Sequence, residues 1–320
     1  MNISVIIVSW NAKSFLQDCL ESLTEQADPQ STEIIVVDNA SSDGSPEMVA
    51  AKFPGVILIQ TGKNLGFAKA NNIGIHKSSG RYIALVNSDI KVLGNCLSEL
   101  GDYLDQHPDV GVVGPKILNS DLTLQISCRQ FPTLWNNFCE ASGLAKAFSG
   151  SRLFSGEQMF YFCHDQVRDV DVLVGCFWLV RRIAFEAAGR LDEGYFIYAE
   201  DVDWCKRCWE VGWRVVFFPG PQAIHYRGGS SANDPERCAL EPQRAILRYW
   251  SKHHGPMGHA GIRSLLFLRY MARSILGTIC GLLKPATARK YRDRVRVNTA
   301  CMAALIPLHA KRNAFPKTED

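Results

Sequence analysis

Ile3-Ser4-Val5-Ile6-Ile7-Val8-Ser9-Trp10-Asn11 is the stretch whose reading decides the fold: a continuous apolar run that breaks into polar residues at its end. Apolar residues without polar alternation are what a strand buried on both faces requires. Outward from it, Leu16, Leu20 and Leu23 recur at helical spacing behind Ser14, a capping residue type. Residues 33–37 form a second short apolar strand, and Ser45-Pro46 places proline at the first position of a helix. Residues 56–60 read as a third strand, 68–77 as a helix and 82–86 as a fourth strand, and Leu97, Leu100 and Leu104 mark the next helix. Strands alternating with helices of this length imply an α/β protein with a Rossmann-like, mostly parallel sheet flanked by helices. Ligands of such sheets bind outside the carboxyl ends of the strands.

Three loops at those ends are polar: Ser9-Trp10-Asn11, the run from Asp38 to Ser45, and Asn87-Ser88-Asp89. Each one alone also suits ordinary turn chemistry. Three on one sheet edge point to a site. Residues 119–168 lose any clean period and are expected to form loops and short helices over the sheet, followed by an apolar run over 170–180. An aromatic loop over 191–199 precedes a helix that starts near Glu200 and ends near Gly212. A strand over 214–218 is closed by Pro219-Gly220-Pro221, and His225 lies beyond it.

The 320 residues are 47% hydrophobic and 21% charged, an ordinary globular balance with length for a sizeable core. The net charge of +3 hides an asymmetry: residues 1–243 carry 20 basic and 29 acidic side chains, residues 244–320 carry 15 and 3. A basic tail on an acidic body suits a polyanionic neighbour, and no nucleic-acid module accompanies it. Residues 262–283 are apolar but interrupted by Arg263, Arg269 and Arg273, which suits a helix lying in the plane of a membrane interface better than one that spans it. The basic run from Arg289 to Arg296 would add attraction to anionic lipid. A helical subdomain or a dimer contact fits the same residues. The apolar start lacks the basic flank and cleavage site of a secretory signal, and the 11 cysteines have no framework of spacings, so reduced thiols in a cytosolic compartment are expected.

Several residues have the chemistry for a site. Asp38 can accept hydrogen bonds from a pyrimidine N–H or from ribose hydroxyls. Asp89, ending a strand, can share a divalent cation with substrate phosphates. Asp201, at a helix start behind an aromatic loop, can accept a proton, although Glu200, Asp201 and Asp203 also fit an acidic first turn. His225 suits either a metal ligand or a core histidine. Cys205 and Cys208 have CxxC spacing but lie within a helix without a second pair, which argues against zinc.

Taken in order, five segments carry a resemblance: residues 5–11, 37–45, 64–74, Asn87-Ser88-Asp89, and 198–205. Together they resemble family 2 glycosyltransferases of the GT-A fold, and within them the rhamnosyltransferase-like members, over about residues 3–230. The resemblance implies a domain over 1–240, with a nucleotide-sugar half near 1–115 and an acceptor half near 116–240, and a helical, basic extension over 241–320. It implies that Ser9, Trp10, Asn11, Asp38, Asn64, Asn87 and Ser88 line the nucleotide-sugar pocket. Asp89, at the second acidic position of the family's DXD motif, and His225 would hold a divalent metal, Mg2+ or Mn2+; Asn87 occupies the first DXD position and leaves one strong ligand there. Asp201 would be the base, and Trp178 and Glu200 would face the acceptor. The implied reaction is inverting transfer of a sugar, with L-rhamnose from dTDP-L-rhamnose leading and a UDP-sugar as the alternative, to a lipid-linked or polysaccharide acceptor. The implied location is the cytoplasmic face of an inner membrane. A nucleotidyltransferase would need a glycine-rich basic loop after the first strand, where Ser9-Trp10-Asn11-Ala12-Lys13 stands instead. A non-catalytic binding protein would not need both Asp89 and Asp201.

Overall fold

The computed structural model describes residues 2–26, 28, 30–228, 235–283 and 288–306. The chain divides into two compact units, Met1–Cys238 and Ala239–Asp320.

The first unit opens as the apolar runs dictate, with β1 (Ile3–Ser9), α1 (Lys13–Thr24), β2 (Thr32–Asp38), α2 (Ser45–Lys52), β3 (Ile57–Gln60), α3 (Phe67–Lys77) and β4 (Tyr82–Asn87). These four strands pair in parallel in the order β3-β2-β1-β4. Their central residues, such as Ile6, Ile7, Val36 and Leu85, are buried, as a sheet covered on both faces demands. Ser14 does not cap α1. The helix starts one residue earlier, and the Lys13 amide is satisfied from outside the helix by Asp43 Oδ2 at 2.8 Å. A residue 30 positions away therefore does the work of a local cap.

The sheet then continues with elements that periodicity did not reveal: β5 (Ile90–Leu93), reached through the turn Ser88-Asp89, and β6 (Val110–Leu118), reached through α4 (Cys96–Gln106). Both are buried strands too short or too glycine-interrupted to stand out. The segment behind them holds β7 (Cys128–Arg129), α5 (Leu134–Ser142), α6 (Leu144–Ala147), β8 (Arg168–Asp169) and β9 (Val172–Leu173), matching the expected short pieces. The apolar run over 170–180 is not one strand. It breaks at Val174-Gly175-Cys176, and β10 (Phe177–Arg181) enters the sheet antiparallel between β4 and β6. Next come α7 (Arg182–Ala188), α8 (Glu200–Glu210) and β11 (Arg214–His225). Pro219-Gly220-Pro221 does not end that last strand; the chain passes through it with a shift of register between Phe217 and Gln222 and pairs on to His225. The full order is β3-β2-β1-β4-β10-β6-β11-β5, with β8 beside β11.

The second unit takes in most of α9 (Pro235–His253), which crosses the boundary, together with α10 (Gly255–Leu283) and α11 (Ala288–Leu305). Gly277 and Gly281 let these two helices approach closely: a Cβ on Gly277 would sit 2.9 Å from Val295 Cγ2. On α10, Ile262, Leu266 and Tyr270 are buried, whereas Leu268, Met271, Ile275, Ile279 and Leu282 form an exposed stripe at helical spacing. By length and composition α10 is apolar enough to cross a membrane, and only 17% of its most apolar window is buried, so it is not a core helix.

One glycine controls how the first unit closes over its sheet edge. Gly66, at φ +84° and ψ 173°, adopts backbone that side chains avoid, and a Cβ there would meet the Phe196 carbonyl oxygen at 2.5 Å. Beside it, the Phe67 amide donates to that carbonyl at 2.6 Å. We expect Gly66→Ala to destabilise the first unit by about 1–3 kcal/mol. Denaturant unfolding checks this, and a midpoint equal to that of the unaltered chain would refute it.

Candidate active site

Strand register brings the first two site residues together. Ile90 on β5 pairs with His225 on β11, so Asp89, one residue earlier in the turn, lies at the end of that ladder. The Tyr226 amide donates to the Asp89 carbonyl at 3.0 Å. The outcome is a contact of 3.2 Å between Asp89 Oδ1 and His225 Nε2, with both side chains largely buried. Burial alone would strip the imidazole of its proton; the bonds to Asp89 and Cys176, and the charge behind them, outweigh it and push the His225 pKa up to about 10. The other ring nitrogen, Nδ1, lies 2.7 Å from Gln125 Oε1.

A second pair of acids starts α8. Tyr198 and Ala199 turn left-handed, at φ 73° and 61°, and deliver Glu200 and Asp201 to the first turn. Asp201 Oδ2 accepts the Gly175 amide at 3.0 Å and Oδ1 accepts the Val202 amide at 2.8 Å. Gly175 must be small, because a Cβ there would lie 3.1 Å from Asp201 Cβ. Glu200 is buried, and its Oε2 has no hydrogen-bond partner among the described residues. Burial first, and the neighbouring Asp201 charge second, push its pKa up to about 8. At neutral pH Glu200 therefore holds its proton. The rest of α8 is fixed firmly. Buried Asp203 takes Arg207 Nε at 2.9 Å, Arg207 bonds the carbonyls of Ala188, Gly189 and Arg190, and the Trp204 indole donates to Gly189 at 2.8 Å.

The loops after β1 and β2 are tied by amide side chains. Buried Asn39 donates to Asn64 Oδ1 at 2.8 Å and accepts the Leu65 amide at 2.9 Å. Asn11 accepts the Ser42 amide at 2.7 Å, and Asp38 Oδ2 accepts the Ser41 amide at 3.0 Å, while Asp38 Oδ1 is buried without a partner among the described residues. The aromatic loop over 192–199 is held at its start by Asn72, whose side chain bonds both the carbonyl and the amide of Leu191. The Arg237 guanidinium lies 3.3 Å over the ring of Phe196.

These pieces enclose a cavity of about 450 Å³. It is lined by eight of the residues singled out from sequence: Trp10, Asn64, Asn87, Ser88, Asp89, Glu200, Asp201 and His225. Ser9, Asn11 and Asp38 stand outside the lining; Ser9 and Asp38 are buried behind it as parallel partners, and Asn11 braces the following loop. Trp178 is a correction. The strand begins at Phe177, and of this segment Val174, Gly175 and Cys176 reach the cavity. Trp178 turns away into the core, where it is 1% exposed, packs at a tilt against Trp204 with ring centroids 5.5 Å apart and donates to the Leu173 carbonyl at 3.2 Å. Gln125, Arg129, Phe196 and Arg227 also line the cavity and were not singled out. Gln125 lies 100 positions from His225, and Arg129 is a lone basic residue in an aperiodic stretch. Neither carries a local signal.

Among the described residues no set of three or more His, Cys, Asp or Glu side chains gathers to hold a metal. The pair Asp89 and His225 supplies one oxygen and one nitrogen, and the neighbouring Asn87 has a buried Oδ1 without a partner among the described residues. That donor set fits a divalent cation whose remaining positions are filled by substrate oxygens.

A family model described as glycosyl transferase family 2 matches residues 4–188. An N-acetylglucosaminyl-diphospho-decaprenol L-rhamnosyltransferase of Mycobacterium tuberculosis is 27% identical over 91% of this chain and 95% of its own length. A dTDP-rhamnosyl transferase of Shigella flexneri is 25% identical over 88% of this chain and 95% of its own. Among solved structures, a mannosyltransferase from Pyrobaculum calidifontis in complex with GDP-mannose and Mn2+ superposes with a TM-score of 0.55 at 18% identity, covering 95% of this chain and 85% of that one. The S. aureus TarS structure spanning residues 1–349, in complex with UDP, gives 0.52 at 15% identity, over 94% and 91%. This chain shares the GT-A fold of these structures.

The raised pKa of Glu200 has a consequence for stability. A carboxyl whose folded pKa lies above its unfolded value near 4.5 contributes stability that is complete below that value and is lost as pH rises through about 8. We expect the unaltered chain to lose stability relative to Glu200→Gln as pH rises from about 5 to about 9. Thermal unfolding of both across that range tests it, and parallel curves would remove the shift.

Proposed function

Because the chain belongs to glycosyl transferase family 2, we propose that it carries L-rhamnose from dTDP-L-rhamnose to a hydroxyl of a lipid-linked or cell-surface polysaccharide acceptor, inverting the anomeric centre. One observation carries the reading: a single cavity holds both the Asp89–His225 pair and a backbone-anchored carboxylate, Asp201. The choice of rhamnose rests on the relatives of Mycobacterium and Shigella, and the lipid-linked acceptor on the former.

In this reading Trp10, Asn64, Asn87 and Ser88 contact the donor, and Ser9, Asn11 and Asp38 shape that wall from behind. The half near residues 1–115 serves the donor, and residues 116–240 serve the acceptor. Asp89 and His225 would hold a divalent cation, Mg2+ or Mn2+, which when bound supplies positive charge to the departing diphosphate. Asp201 takes the proton of the acceptor hydroxyl while that oxygen bonds to the anomeric carbon. The bond to the nucleoside diphosphate breaks on the opposite face, and the electron pair leaves with the diphosphate. Glu200, protonated, offers a hydrogen bond to the acceptor beside the base. The exposed apolar stripe of α10, with the basic residues opening α11, suits a helix lying in an anionic membrane surface on the cytoplasmic side.

Asp201→Asn keeps an oxygen for only one of the two backbone amides that Asp201 accepts, and it cannot take a proton. We expect turnover with saturating donor and acceptor to fall about 10²–10⁴-fold, in a chain that still folds with a modestly lowered melting temperature. Full turnover in that variant would exclude the assignment. For the tail, flotation with vesicles containing anionic lipid should recover the unaltered chain and lose a variant carrying Leu268→Glu and Ile275→Glu. Equal flotation of both would dismiss the stripe as the contact.

A further inference from the structure

We propose that Gln125 is a positioning residue that fixes which nitrogen of His225 is offered to a cation beside Asp89. This rests on the metal reading given above. The direction of each hydrogen bond in a chain of five residues decides the matter. Asp121 is an exposed carboxylate and can only accept, so the Thr123 hydroxyl spends its proton on Asp121 Oδ1 at 2.5 Å. Thr123 Oγ1 is then an acceptor toward Asn119, whose Nδ2 donates to it at 2.9 Å and to the Leu124 carbonyl at 3.3 Å. Asn119 must therefore turn its Oδ1 toward Gln125, and Gln125 Nε2 donates to that oxygen at 2.9 Å and to the His225 carbonyl at 3.1 Å.

Reversing the Gln125 amide would set its oxygen against two other acceptors. Its Oε1 is thus left facing His225 Nδ1 at 2.7 Å, and Nδ1 must carry the hydrogen. Nε2, 3.2 Å from Asp89 Oδ1, is then the ring nitrogen that would give up its proton to a cation beside Asp89. The fold supports this arrangement independently. A tight turn with Leu122 at φ 64° folds residues 119–125 back on the end of β6, where the Gln125 amide donates to Ile117 at 2.9 Å. β6 itself runs parallel to β11, with Leu118 opposite Ile224, so Gln125 arrives next to His225. Gln125 is 4% exposed, so no bulk water competes for its amide. Partners of metal-ligating histidines typically matter 10–100-fold in metal affinity.

Titration with Mn2+ alone, followed by the electron paramagnetic resonance signal of free Mn2+, tests the proposal without any turnover. Gln125→Leu keeps the bulk and removes the acceptor, and it should weaken Mn2+ binding by about 10–100-fold. Because Gln125 acts through His225, Gln125→Leu in a His225→Ala background should weaken Mn2+ binding no further. Circular dichroism and melting curves accompany each variant. If Gln125→Leu binds Mn2+ like the unaltered chain, or if it weakens binding as much in the His225→Ala background as it does alone, the positioning role is overturned. If His225→Ala binds Mn2+ as well as the unaltered chain, the metal reading beneath it fails instead.

Discussion

Ile90 on β5 sits opposite His225 on β11, and the residue before Ile90 is still turning out of β4. The placement of Asp89 against His225 on one side of the cavity follows from that pairing. A slip of one residue would point His225 to the other face of the sheet and leave Asp89 without its neighbour. The register is held on its other side too, because β11 resumes parallel pairing with β6 after the irregular Pro219-Gly220-Pro221 segment. Asp201 comes from a different kind of element, the first turn of a helix. The break at Val174-Gly175-Cys176 joins the two: the Cys176 carbonyl accepts the Asn87 amide at 2.9 Å, and the Gly175 amide holds Asp201 at 3.0 Å. One short loop thus positions a helix-borne carboxylate against a strand end.

Negative charge inside the cavity is offset by pairing and protonation rather than by absence of acids. Asp89 is matched by His225, and Glu200 stays protonated because it is buried beside another acid. Arg129, Arg227 and Arg237 also line the walls. Such a cavity suits a substrate that brings its own negative charge, as a nucleoside diphosphate does.

The parallel half of the sheet was readable because each strand is a short unbroken apolar run bounded by polar residues. β5 and β6 were not, since four residues of Ile90–Leu93 are too few to show a period and glycines interrupt Val110–Leu118. The α1 cap went astray because Asp43, not Ser14, serves the first-turn amide. Trp178 was misplaced for a related reason: an apolar run does not reveal where a strand begins, and one position decides whether a side chain meets the cavity or the core. Asp89, Glu200 and Asp201 were found as members of an ordered series and His225 as a separate candidate beyond it, and the structure places all four on one cavity. Gln125 could not be found that way, because its meaning lies in contacts made only when distant segments fold together.

The aromatic loop over 192–199 is suspended from anchors that barely depend on its own side chains. Asn72 grips the backbone of Leu191, the Phe67 amide grips the carbonyl of Phe196, and α8 secures the far end through Arg207 and Trp204. The side chains of Phe196 and Ile197, unlike that of buried Tyr195, supply none of these anchors. Divergence at these two cavity-lining positions and preservation of the carboxylate that follows thereby become separable problems for a lineage. A laboratory library confined to positions 196 and 197 would explore the first while leaving the second to the scaffold.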